Sequence, residues 1–67
     1  MGKNRMEIKA LEIIRDNKYI SNAELAEELG ISFEDVKIMV LRLKSQVLIS
    51  ETMEGLEITD KGLRKLN

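Results

Sequence analysis

Ser21-Asn22-Ala23-Glu24-Leu25-Ala26-Glu27-Glu28-Leu29-Gly30-Ile31-Ser32-Phe33-Glu34-Asp35 is the stretch that decides the fold. Ser21 and Glu24 stand at capping-box spacing. The hydroxyl can accept from the amide three residues on, and the carboxylate can reach back to the Ser21 amide. The helix so started spans 22–29, with Leu25, Ala26 and Leu29 as its apolar residues, and Gly30 is placed to stop it in the left-handed conformation. Ser32 then caps another helix, 33–46, whose first turn holds Glu34 and Asp35 where the macrodipole favours acids. Two helices with marked ends therefore meet across the short corner Gly30-Ile31-Ser32.

Working outward, Met6, Ala10, Leu11, Ile13 and Ile14 recur at helical spacing and Ile8 widens the stripe, which predicts an amphipathic helix over 3–16. Asp16-Asn17-Lys18 ends it with turn-favouring residues. In helix 33–46, Val36, Val40 and Leu43 fall on one side with Met39 beside them. The period then changes. Leu48–Thr52 and Leu56–Ile58 read as the strands of a hairpin over 48–58, turned at Met53-Glu54-Gly55, where Gly55 supplies the positive φ a tight turn requires. Thr59 or Asp60 caps a short helix over 60–66, with Leu63 and Leu66 expected to point to the core. Met1, Met6, Met39 and Met53 are spread over separate elements, which suits core filling and a hairpin tip better than a binding stripe.

Sixty-seven residues make one domain, 1–67, near the lower limit for a single core. With 43% apolar residues and a net charge of -1, the chain has enough to bury and too little charge to be disordered. The initial Met favours reading it as a whole protein. The absence of Cys and His removes thiol nucleophiles, zinc–thiolate sites and the usual proton shuttle, so no enzyme, metal or cofactor is expected. Glu27-Glu28 and Glu34-Asp35 are paired carboxylates in sequence, but adjacent helical residues do not face each other. The longest apolar runs, such as Met39–Leu41 and Val47–Ile49, are far too short for a membrane span or a signal peptide, and a cytoplasmic protein is expected. Charge alternates in blocks: +2 over 1–20, -5 over 21–36, +3 over 37–49, -4 over 50–60 and +3 over 61–67. Such blocks predict faces of opposite sign.

The order helix, helix, tight turn, helix, hairpin, short helix resembles the winged helix-turn-helix family of small prokaryotic transcriptional regulators. The likeness is carried by Leu11, Ile14 and Ile20-Ser21, by Glu24 through Ser32, by Val36, Val40 and Leu43, by Val47-Leu48-Ile49, and by Leu56-Glu57-Ile58-Thr59-Asp60-Lys61-Gly62. It implies an α+β, mostly α, winged-helix fold: a three-helix bundle, a two-stranded wing and a short closing helix. The family often has Gly where Val47 stands. A β-branched residue there argues against a left-handed exit from helix 33–46.

The resemblance also implies that helix 33–46 enters the major groove of double-stranded DNA, with Ser32, Lys37 and Arg42 on phosphates and the wing on backbone or minor groove. The N-terminus of helix 22–29 would then lie at the backbone, where Lys18, Tyr19, Ser21 and Asn22 could hold a phosphate with help from the helix dipole. At about 100° per residue, the side of helix 33–46 away from Val36, Val40 and Leu43 presents Glu34, Ile38, Leu41 and Ser45, flanked by Lys37 and Arg42. Glu34 could accept from cytosine N4, while Ile38 and Leu41 could meet thymine methyls but make no bidentate base pairings. Glu51, Glu54 and Glu57 are the only charges of the wing. Three readings of Ile38 and Leu41 stay open: isolated exposed apolar residues, a contact with a protein partner or second copy, and base readout. Lys3, Arg5, Lys9 and Lys18 read as a solvated basic face. The leading function is a DNA-binding regulator, acting as a homodimer or with a larger protein partner. The alternative is a winged-helix interaction or dimerisation module that uses Ile38 and Leu41.

Overall fold

The structure, a computed structural model, describes residues 2–67, with side-chain surroundings from Arg5 onward. Met1 and the side chain of Lys3 lie outside the described residues. The elements run α1 (Gly2–Asp16), α2 (Asn22–Leu29), α3 (Phe33–Ser45), β1 (Ile49–Glu51), β2 (Leu56–Ile58) and α4 (Asp60–Leu66). Both sides of the capping box at α2 form: Ser21 Oγ accepts from the Glu24 amide at 3.1 Å, and Glu24 Oε1 accepts from the Ser21 amide at 3.0 Å. Ser32 Oγ accepts from the Asp35 amide at the start of α3.

Each helix contributes the stripe its spacing demands. Ala10, Leu11 and Ile14 of α1, Leu25 and Ala26 of α2, and Val36, Met39, Val40 and Leu43 of α3 are buried together with Ile20, Leu48, Ile49 and Leu56. Met6, Ile13, Leu29, Ile31, Ile58 and Leu66 pack around them, and Ile8 is half-buried. No buried polar or charged residue interrupts this core among the described residues. Removing a fully buried leucine such as Leu11 or Leu43 therefore costs about 2–5 kcal/mol, as transfer and cavity terms add.

β1 and β2 pair antiparallel in the register Ile49↔Ile58, Ser50↔Glu57 and Glu51↔Leu56. The strands are shorter than expected because their end residues have other tasks. Leu48 closes the corner after α3, and Thr52 closes the turn, its amide donating to the Gly55 carbonyl at 2.7 Å. Gly55 takes a φ of 146°, and a Cβ there would overlap the Tyr19 carbonyl. The hairpin is also pinned on its far side. The Leu56 amide donates to the Ile20 carbonyl at 2.9 Å, and the Tyr19 amide donates to the Leu56 carbonyl at 3.1 Å. This bridge ties the turn end of the wing to the connection between α1 and α2.

Two expectations are corrected. Val47 does leave α3 in the left-handed region, at φ 60°. The corner is held by the Val47 amide on the Lys44 carbonyl (2.9 Å) and the Leu48 amide on the Leu43 carbonyl (3.0 Å), with Leu43 and Leu48 both buried. Those bonds satisfy the helix's last carbonyls and override the local preference of a β-branched residue. Leu63 is exposed rather than in the core. Gly62 is the inward residue of α4, so near the Leu48 carbonyl that a Cβ would overlap it, and Leu63, one residue on, is turned about 100° away. Leu66 packs inward as expected. No helix among the described residues is long and apolar enough to cross a membrane.

Candidate nucleic-acid interface

α3 buries one side and turns the other wholly to solvent. Ile38 and Leu41 are 57% and 62% exposed, and Glu34, Lys37 and Ser45 are exposed with them. The outward face is thus apolar at its centre, as the helical spacing demanded.

The cations on α3 are each engaged within the chain. Lys37 Nζ sits 5.5 Å from the centroid of the Phe33 ring one turn earlier, within reach of a cation–π attraction. Phe33 is itself about half exposed, so this contact lies at the surface and leaves the ammonium open to water. Arg42 Nη1 lies 3.4 Å from Glu7 Oε2 of α1, and the Glu7 side chain is only 12% exposed. Arg42 and Ile38 border a shallow hollow between α1 and α3, together with Met6, Ile31 and Met39. Lys44 Nζ lies 2.9 Å from Glu51 Oε1 on β1. Arg42 therefore leans towards α1, and Lys44 towards the wing.

At the start of α2, Ser21 and Asn22 border a second hollow, shared with Phe33 of α3 and the turn Thr52–Gly55 of the wing. Asn22 Oδ1 is buried there without a hydrogen-bond partner. The hydroxyls of Ser21 and Ser32 are occupied as acceptors by their helix caps, yet each can still donate its own hydrogen to a phosphate oxygen. Lys18 is exposed but lines a different hollow, beside Glu24, Glu27 and Glu28. The structure thus gathers Ser21, Asn22 and the N-terminal part of α3 with the wing, and sets Lys18 among carboxylates.

The wing is stiff at its turn and exposed at its tip. Thr52 Oγ1 donates to the Gly55 carbonyl and accepts from the Glu54 and Gly55 amides, while Met53 is fully exposed. Of its acids, Glu51 is paired by Lys44 and Glu57 is half-buried. Lys44 thus offsets one of the three acids of the wing. Lys44 is not among the residues the sequence reading singled out. Its signal was there, since it stands seven residues after Lys37 and so on the same flank of α3. Among the described residues no group of three or more metal-ligating side chains comes together.

Residues 3–44, which span most of α1 and nearly all of α3, match the family model described as winged helix-turn-helix DNA-binding. No curated protein matches in sequence. Among solved structures, the multiple antibiotic-resistance repressor (MarR) from Listeria monocytogenes superposes with a TM-score of 0.86 at 22% identity, over 91% of this chain and 45% of that one. A protein of unknown function from Listeria innocua superposes with a TM-score of 0.83 at 28% identity, over 91% of this chain and 46% of that one. The chain thus spans a little under half the length of either structure it resembles.

Proposed function

Because this chain belongs to the winged helix-turn-helix DNA-binding family, we propose that it is a DNA-binding transcriptional regulator that lays α3 in the major groove. The observation that carries the reading is the family match across α1, α2 and α3, in a structure whose α3 turns an unobstructed outer face to solvent. In this reading Lys37 and Ser32 meet phosphates at the groove edge. Ser21 and Asn22 meet the backbone from the N-terminus of α2, where free amides and the dipole favour an anion. Lys18 joins them from the connection before α2, and Arg42 once released from Glu7. Glu34 accepts from a cytosine amino group, and Ile38 and Leu41 meet thymine methyls. The protein performs no catalysis, works in the cytoplasm and acts as a homodimer, which would set two α3 helices about 34–36 Å apart along the duplex.

An amide chemical-shift titration with a mixed-sequence duplex at low salt tests this. Shifts at Ser21–Asn22, along α3 and in the wing, reversed by added salt, are expected. Lys37→Ala should weaken binding and reduce the salt slope by about one. A spectrum unmoved by duplex at low salt overturns the reading.

The exposure of Ile38 and Leu41 favours a second reading, in which this face binds another copy or a protein partner. Ile38→Glu would then convert a dimer to a monomer in sedimentation, whereas an unchanged monomeric mass at high concentration removes the self-association version.

A further inference from the structure

Lys44 follows Lys37 by seven residues, two helical turns, so the two backbone positions lie about 10 Å apart along one flank of α3. That flank adjoins Leu41 and the outward face. Lys44 is paired there with Glu51, 2.9 Å away on β1 beside the turn of the wing. Glu51 cannot drift away easily, because its backbone is registered against Leu56, which is itself bridged to Ile20. The pair is surface-exposed, with side chains 36% and 48% accessible, so water and other anions reach it.

We propose that Lys44 is a phosphate-contacting residue and that Glu51 is its stand-in for phosphate in the free protein. This rests on the DNA-binding reading. A carboxylate and a phosphodiester offer an ammonium the same kind of partner, an anionic oxygen accepting a charge-assisted hydrogen bond. On binding, Lys44 exchanges the Glu51 oxygen for a backbone oxygen. Glu51 then opposes binding in two ways: it must surrender its partner, and its own charge is left beside the phosphate. The same pair keeps Lys44 extended along the flank when no DNA is bound. Glu51 thereby sets how tightly, and with what salt dependence, the chain holds a duplex.

The test uses the full chain, a mixed-sequence duplex and fluorescence anisotropy over a salt series. Circular dichroism melts would establish that every variant is folded. Glu51→Gln keeps the size of the side chain and should tighten binding about threefold at low salt, the scale of an exposed ion pair. It should also steepen the salt slope by up to about one, as a freed Lys44 displaces a counterion. Lys44→Gln placed in the Glu51→Gln background should cancel the gain. Glu54→Gln is the control. It removes the same charge from the wing turn, and among the described residues Glu54 has no ion-pair partner. Its smaller gain should survive Lys44→Gln. Equal gains from Glu51→Gln and Glu54→Gln, both surviving Lys44→Gln, or no gain from Glu51→Gln, overturn the proposal while leaving DNA binding intact. Failure of the unaltered chain and all variants to bind at the lowest salt overturns the DNA reading, and the role of Lys44 with it.

Discussion

α2 and α3 end in the same hydrogen-bonded corner, one built on Gly30 and the other on Val47. At the first, the Gly30 amide reaches the Glu27 carbonyl at 3.3 Å and the Ile31 amide reaches the Ala26 carbonyl at 3.2 Å. At the second, the Val47 amide reaches the Lys44 carbonyl and the Leu48 amide reaches the Leu43 carbonyl at 2.9 and 3.0 Å. The backbone angles agree too, with φ 68° at Gly30 and 60° at Val47. Glycine adopts this conformation freely, whereas for a residue with a Cβ it costs roughly 1–2 kcal/mol. At Val47 the corner's own hydrogen bonds are reinforced from outside the helix. Thr59 Oγ1 donates to the Val47 carbonyl at 2.6 Å, and the Thr59 amide donates to the Leu48 carbonyl at 3.0 Å. Gly62 closes against the same Leu48 carbonyl. The first corner is made by its residue, the second by its surroundings.

The strongest way to break the second corner is Gly62→Ala. Its new methyl would meet the Leu48 carbonyl and Ile58, and the backbone cannot yield without releasing the clamp on Val47. The expected loss in denaturant unfolding is about 2 kcal/mol, after the better helix propensity of alanine is set against roughly 3 kcal/mol of overpacking. Smaller effects should sharpen the contrast between the two glycine-type positions. A methyl added at Gly30 would have nothing within 4 Å of it, so Gly30→Ala meets only the left-handed backbone penalty, about 1 kcal/mol destabilising. Val47→Gly should go the other way and stabilise by about 0.5 kcal/mol, the relief of strain exceeding the added entropy of the unfolded chain. A loss of stability in Val47→Gly would mean that the valine side chain, though exposed, contributes more than its backbone costs.

The smallest effect concerns the end of α1, where the Asn17 amide and side chain both turn back to the Ile13 carbonyl and the left-handed residue, Tyr19, comes three residues after the helix. Asn17 Nδ2 donates to the Ile13 carbonyl at 2.9 Å, and Arg15 Nε donates to Asp16 Oδ1 at 2.9 Å. The hydrogen bond from Arg15, helped by its charge, holds the Asp16 carboxyl below its ordinary value. A carboxyl lowered in the folded state contributes stability above its unfolded pKa, near 4, and loses it as pH falls through the folded value. Melting temperatures followed from about pH 6 to pH 2 should therefore show a slightly shallower acid decline in Asp16→Asn. The pair is exposed, which keeps the difference small.

The parts of the fold legible in the sequence were those whose cause is local. Ser21 with Glu24, Gly30, Ser32 and the spacing of Val36, Val40 and Leu43 each act through neighbours a turn away, so the helices and their faces could be read directly. The outward position of Ile38 and Leu41 followed from the same periodicity. What escaped depends on residues distant in the chain. Val47 is held by Thr59, the inward residue of α4 is chosen by the approach of Gly62 to Leu48, and the Ile20–Leu56 bridge joins segments with no shared pattern. The candidate site divides in the same way. Its face was legible, but the attachments of Arg42 to Glu7 and Lys44 to Glu51 were not, because side-chain pairing across elements leaves no period to detect.

The Ile20–Leu56 bridge has a consequence for how the molecule opens. The Leu56 amide is released only if Ile20 parts from it, and Ile20 is a buried member of the core. The wing therefore cannot fray inward from its turn. At the turn only fully exposed Met53 stands clear in solvent, while Leu56 beside it opens with the core. In amide hydrogen exchange the wing would read as two populations a few residues apart: one trading protons almost as fast as an unfolded peptide, the other as slowly as the centre of α1.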